Sequence, residues 1–239
     1  MRSDDNTCSK INTHSNLSRR PKVHLAPEGA DVIALSAIIV VLMVVLSFYV
    51  KEGRLLWLPA LAAIWFFLVV QFFRDPERFP PEGERLVLSP ADGKVISIGE
   101  ALDSPFHPPG QRVSIFMSPF NVHVNRSPAH GIVRLVEPKS GRFLTAFKPE
   151  ATRENEQVLT ILDTPYGELA FKQIAGYLAR RIVLHPQPGD KLSAGQRVGM
   201  IKFGSRVDLF IPDNVDIRVR LGQIVTAGET VIGEFTNAL

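Results

Sequence analysis

Few residues in this chain have the type and the setting to do chemistry. The pair Gly204-Ser205 sits in Phe203-Gly204-Ser205-Arg206-Val207, between two strand-like runs near the end of the 239 residues. A Gly-Ser dipeptide alone is weak evidence, because a chain of this size holds about one by chance. Its context is what singles it out. His123 is the candidate for proton transfer, since an imidazole titrates near neutrality; the plain alternative is a histidine filling a strand position. Asp92, in Ser89-Pro90-Ala91-Asp92-Gly93, either orients a catalytic partner or makes an Asp-Gly turn. His130 and His185 belong to no motif and read as loop or surface residues. The single cysteine, Cys8, excludes an internal disulfide and a cysteine-based zinc site. There is no Gly-x-Ser-x-Gly elbow, which counts against a serine hydrolase acting through Ser205, and no Gly-rich loop to cradle phosphates.

The elements that must hold these residues are short strands. After Arg74, Pro76, Pro80, Pro81 and Gly83 mark a linker over 74–83. Residues 84–239 then show no long helical period. Short β-branched runs recur instead, at Lys94–Ile98, Arg112–Phe116, Val158–Leu162, Arg181–Leu184, Val207–Ile211 and Ile217–Arg220. This predicts a compact all-β domain, or a β-rich α+β one, built as a sandwich or barrel. A hairpin motif is duplicated within it: Gly189, Leu192, Ala194, Gly195 and Val198 fall in register with Gly222, Val225, Ala227, Gly228 and Val231. Such hairpins occur in carriers that swing biotin or lipoate, but the lysine that carriers modify is not visible, so the repeat reads as scaffold.

Ahead of the strands, residues 1–31 form a polar segment and 32–73 a hydrophobic helical hairpin. Val32–Val50 and Leu55–Phe73 are uncharged runs of 19 residues, each about long enough at ~1.5 Å per residue to cross ~30 Å of hydrocarbon. Only Lys51-Glu52-Gly53-Arg54 separates them, so both outer ends lie on one side. Arg19, Arg20 and Lys22 before the hairpin, with Arg74 and Arg78 after it, place that side in the cytoplasm. Lys51 and Arg54 suit a full crossing less well than a dip into one leaflet, and the sequence leaves both open. The 45% hydrophobic content excludes a disordered chain, and a net charge of only +3 argues against a nucleic-acid binder.

Five ordered blocks carry a resemblance: Phe73-Arg74-Asp75-Pro76-Glu77-Arg78; Ser89-Pro90-Ala91-Asp92-Gly93-Lys94-Val95; Phe116-Met117-Ser118-Pro119-Phe120-Asn121-Val122-His123-Val124-Asn125; Ala179-Arg180-Arg181-Ile182-Val183; and Phe203-Gly204-Ser205-Arg206-Val207-Asp208. Together they resemble the short bacterial form of phosphatidylserine decarboxylase. The resemblance implies a proenzyme that cuts itself between Gly204 and Ser205 into chains 1–204 and 205–239. Ser205 becomes a covalent pyruvoyl group, which forms a Schiff base with phosphatidylserine and yields phosphatidylethanolamine without pyridoxal phosphate or metal. It also implies His123 as acid/base, Asp92 as an orienting or processing residue, and a catalytic domain on the cytoplasmic face of the cell membrane. Longer relatives carry His-x-x-His-x-Pro in the third block. Here Arg126 stands at the second histidine position, and an arginine cannot serve as the base. Arg126, Arg180, Arg181 and Arg206, with Lys172, are candidates for the lipid phosphodiester; the alternative is a solvated strand face. A homo-oligomer is open on this reading. The competing classes are a membrane-tethered β-sandwich adaptor or carrier, suggested by the repeat alone, and the disfavoured serine hydrolase.

Overall fold

The computed structural model describes residues 22–49, 57–101, 103–106, 108–142, 144–145, 151–176, 181–202 and 205–236. Cys8, Arg19, Arg20, the 51–54 turn, Arg180 and Gly204 lie outside these residues. In chain order the elements are β1 (Val23–Leu25), α1 (Ala30–Tyr49), α2 (Trp57–Phe72), β2 (Arg74–Pro76), β3 (Leu86–Leu88), β4 (Gly93–Glu100), β5 (Gln111–Met117), β6 (Val124–Arg126), β7 (Gly131–Lys139), α3 (Ala151–Glu154), β8 (Gln157–Thr164), β9 (Gly167–Ala175), β10 (Ile182–Leu184), β11 (Lys191–Leu192), β12 (Arg197–Ile201), β13 (Ser205–Ile211), β14 (Val215–Ile217), β15 (Ile224–Val225) and β16 (Val231–Phe235).

The apolar runs fold as helices, but of unequal length. A helical stretch over Pro27–Tyr49 is long and apolar enough to cross a membrane, with a mean hydropathy of 2.8, while α2 has 16 residues. Leu35, Ile38, Val41, Leu42, Trp57, Leu61, Ile64 and Phe67 all face outward. A helix that is apolar on every side needs an apolar surrounding. The two serine hydroxyls of α1 are satisfied internally, Ser36 Oγ donating to the Val32 carbonyl at 2.7 Å and Ser47 Oγ to that of Val44 at 2.6 Å. The two helices leave the domain through one stem. β1 pairs antiparallel with β2, Val23 opposite Pro76 and Leu25 opposite Arg74, and the Ala26 amide donates to the Phe73 carbonyl at 2.7 Å. The segment that reads as linker in the sequence therefore begins as a strand.

The rest is strand-rich, as the β-branched runs require. An eight-stranded antiparallel sheet, ordered β11-β7-β8-β9-β13-β5-β4-β15, curls into a half-barrel. Two three-stranded sheets, β10-β12-β6 and β14-β16-β3, contribute Val198, Ile201, Val87, Ile232 and Phe235 to the same apolar cluster as Val113, Ile115, Leu169, Phe171, Val207 and Leu209. β13 lies between β5 and β9 and is buried at every residue.

The duplicated hairpin is real in backbone terms and larger than its sequence trace. Gly195 and Gly228 both have φ +74°, and Gly189 and Gly222 have +96° and +84°. The match extends to Ser89-Pro90-Ala91 and Ser127-Pro128-Ala129, where each serine hydroxyl donates to its own alanine carbonyl, at 2.7 and 2.8 Å. The two copies bond reciprocally: Leu88 N donates to Pro128 O at 2.7 Å and Arg126 N to Pro90 O at 3.0 Å. Such exchange of equivalent bonds is the signature of a local two-fold relation. The two hairpin turns meet at it, since a Cβ on Gly228 would lie 3.2 Å from Gly195 Cα and 3.0 Å from Arg126 Cδ. Gly228→Ala should therefore lose about 1–3 kcal/mol of stability, from left-handed strain plus crowding. Thermal unfolding in detergent micelles should show a drop of several degrees; an unchanged midpoint would contradict the packed dyad.

Candidate active site

The site begins where β5 ends. Pro119 opens a turn in which Asn121 Oδ1 accepts from both the Ser118 amide, at 2.8 Å, and the Ser118 hydroxyl, at 2.7 Å. The turn brings the chain back so that the His123 carbonyl accepts from the Ile201 amide at 3.3 Å, at the end of β12. The next strand in the chain after β12 is β13, which begins at Ser205. His123 and the first residue of β13, Ser205, thus stand at one end of the strands.

His123 is completely buried, with its ring against that of Phe72 at 4.2 Å between centroids. Its Nδ1 lies 3.0 Å from the Asn121 carbonyl. A carbonyl only accepts, so Nδ1 carries the proton and Nε2 keeps a bare lone pair. That Nε2 is buried with no hydrogen-bond partner among the described residues. Burial pulls the imidazole down to about 4, helped by the nearby Arg74 charge and opposed by the Asn121 bond. The ring is neutral at pH 7.

Ser205 is equally buried, opposite Met117 on β5 and Ala175 on β9. Its hydroxyl donates to the Met117 sulfur at 3.2 Å. A thioether is a weak acceptor, so the oxygen is not tied up by a strong bond. Behind it lies an amide pair that sequence reasoning missed. Gln173 Nε2 donates to Asn125 Oδ1 at 2.9 Å, Asn125 Nδ2 faces the same Met117 sulfur at 3.7 Å, and Gln173 Oε1 is buried without a hydrogen-bond partner among the described residues. A glutamine within Leu169–Ala175, otherwise apolar but for Lys172, was the available signal.

Asp92 occupies a turn. One oxygen accepts from the Ala227 amide at 2.7 Å and the other from Arg78 at 2.7 Å. Burial raises its carboxyl despite both bonds. His130 takes the equivalent place in the other half of the repeat, its Nδ1 accepting from the Ala194 amide at 3.4 Å. No hydrogen bond joins Asp92 to His123 or Ser205 among the described residues; the charge of Arg74 acts on both Asp92 and His123. Arg78, one of the basic residues that follow the hairpin in the sequence, is largely buried between Asp92 and Glu229.

The arginines separate by place. Arg126 is paired with Asp75 at 2.8 Å and donates to the carbonyls of Pro76 and Gly195, in a network that continues through Arg197 to Glu28. Arg206 is buried on the other face of β13 from Ser205, bonded to Asp208 at 2.6 Å and to Ser114 at 2.9 Å. Lys172 is paired with Asp103 at 3.4 Å. Arg181 is exposed, and its carbonyl accepts from the Lys202 amide at 3.2 Å. Lys202, another residue missed from sequence, holds its ammonium 5.8 Å from the Phe73 ring centroid.

A strand-rich domain with a buried serine and a neutral histidine at the foot of apolar helices is matched from residue 65 to 233 by the family model described as Phosphatidylserine decarboxylase. The chain is 41% identical over 213 residues to a phosphatidylserine decarboxylase proenzyme of Chlorobaculum tepidum, covering 89% of this chain and 98% of that one. It is 42% identical over 211 residues to the protein of the same name from Chlorobium chlorochromatii, covering 88% and 100%. The fold and these matches define a carboxy-lyase. More particularly, the chain belongs to the phosphatidylserine decarboxylase family.

The depressed His123 imidazole has a consequence for stability. Its folded value, about 4, lies below the ordinary 6.5, so between those values the unfolded chain binds the extra proton. The contribution is complete above pH 6.5 and is lost as pH falls toward 4, by up to about 3 kcal/mol. Unfolding of Ser205→Ala at pH 7 and pH 4.5 should show this loss, and Ser205→Ala/His123→Gln should show less of it. Equal losses in the two proteins would contradict the assignment.

Proposed function

We propose that this carboxy-lyase is a membrane-anchored phosphatidylserine decarboxylase that makes its own catalytic group by cutting between Gly204 and Ser205. Two observations carry the reading: a buried Ser205 hydroxyl bonded only weakly, and a buried, neutral His123 whose Nε2 has no hydrogen-bond partner among the described residues. A buried donor and a buried acceptor without strong partners are costly to keep, which argues against the alternative of a non-catalytic adaptor.

The chemistry follows from the residue types. The Ser205 oxygen adds to the Gly204 carbonyl and the amide nitrogen leaves, giving an ester and a free amine. Loss of the Ser205 α-proton then expels the Gly204 carboxylate and leaves dehydroalanine, which water converts to a pyruvoyl group with release of ammonia. Glycine at 204 leaves the attacked carbonyl unhindered by a side chain. With arginine at 126 held by Asp75, His123 is the residue at this end of the strands able to receive the serine proton. The surroundings fit a pyruvoyl group: the interior face at Ser205 offers Met117, Asn125 and Gln173, and no charged side chain hydrogen-bonds the hydroxyl among the described residues. Such a group supplies an electron sink for loss of carbon dioxide from an amino acid headgroup. His123 then carries the proton that replaces the carboxylate, and Phe72 and Val122 exclude water around it.

Exposed Arg181 and half-buried Lys202 would serve the phosphodiester of phosphatidylserine, and their accessibility supports that role. The product is phosphatidylethanolamine. Residues 32–73 anchor the enzyme and 84–239 form its catalytic domain, and the basic residues flanking the hairpin put that domain on the cytoplasmic face. Phosphatidylserine vesicles should release carbon dioxide with the wild type and none with Ser205→Ala. His123→Ala should slow turnover about 10²–10⁴-fold. Full activity in Ser205→Ala would overturn the reading.

A further inference from the structure

Phe120 is a large aromatic side chain left mostly uncovered. It is 76% exposed at the tip of the Ser118–Asn121 turn, next to the residue whose carbonyl positions His123. The turn is rigid, since Asn121 bonds Ser118 twice, and it is tied to the apolar helices. The Arg74 guanidinium donates to the Gln71 carbonyl at 2.6 Å and to the Phe120 carbonyl at 2.8 Å. This clamp sets the backbone of Phe120 level with the last turn of α2. The outward-facing apolar side chains of α2 continue down to Phe67 and Leu68, about one helical turn from Gln71. Cations lie at the same level: Arg74 itself, and Lys202 over the Phe73 ring.

An aromatic ring held beside the end of an apolar helix, with cations around it, matches the interfacial zone of a bilayer. We propose that the Ser118–Asn121 turn is a second membrane contact, in which Phe120 enters the lipid interface beside α2 and seats the mouth of the site against the bilayer. The occupant of this surface is a phospholipid bilayer. The inference rests on the reading of α1 and α2 as a membrane anchor and goes beyond it, because it places part of the catalytic domain in the lipid. A headgroup bound to the bilayer would then meet the His123 turn without leaving the interface.

The test is fluorescence quenching in the full chain, reconstituted into phosphatidylcholine–phosphatidylglycerol vesicles with bromine at a shallow or a deep acyl position. Trp57→Phe/Trp65→Phe/Phe120→Trp carries a single indole, in the turn, and Trp57→Phe alone keeps Trp65 on α2. The turn indole should be quenched at least twofold by shallow bromines and shielded from aqueous acrylamide. If Trp65 is quenched by bromolipid and the turn indole is not, the anchor stands and this proposal is overturned. If neither is quenched, both fail. Cys8→Ser/Phe120→Cys, labelled with an environment-sensitive dye, gives the same readout should the triple variant fold poorly.

Discussion

The structure depends on one placement: the first residue of the central strand is a serine buried on all sides. β13 is flanked by β5 and β9, so its backbone is fixed by hydrogen bonds from Ser205 onward. A hydroxyl so placed would ordinarily find a carbonyl or a carboxylate. Here it meets the sulfur of Met117. Leaving a polar group so poorly satisfied costs on the order of 1–3 kcal/mol, and the surrounding apolar cluster must offset it. A reactive position is a place where such a cost is carried for function.

The histidine follows from the same geometry. His123 sits where the turn after β5, the end of β12 and the foot of α2 converge, and each supplies one constraint. The turn gives Nδ1 its acceptor, β12 binds the carbonyl, and Phe72 covers the ring. Removing water from that corner keeps the imidazole neutral. The helices are thus part of the same corner, since Val69, Phe72 and Phe73 pack in one cluster with Val122, Val124 and Met200. The stem of β1 and β2 and the Glu28–Arg197–Asp75–Arg126 network hold the two parts in register.

Much of the fold was legible because apolar alternation marks half-buried strands. Runs at 94–98, 112–116, 158–162 and 207–211 all lie within observed strands. β7 and β9 were not read, because Arg134, Glu137 and Pro138 in one and Glu168, Lys172 and Gln173 in the other break the alternation. The run at 217–220 overlaps β14 only at Ile217. The hairpin repeat was visible because its glycines hold positive φ, which few other residues tolerate. Its Ser-Pro-Ala half was not, since those copies are short and matched only through bonds across the dyad. At the candidate site, Ser205 and His123 stood out through motifs. Asn125, Gln173, Lys202 and the Arg78–Asp92 pair act through contacts between distant strands, which no local pattern reports.

The central claim is that the peptide bond before Ser205 does not survive maturation. Intact mass spectrometry of the purified protein tests it directly. The account predicts two polypeptides, ending at 204 and beginning at 205, with the smaller one lacking a free terminal amine and having the mass of a keto-acyl residue in place of serine. A single unmodified chain of 239 residues in an active preparation would contradict it.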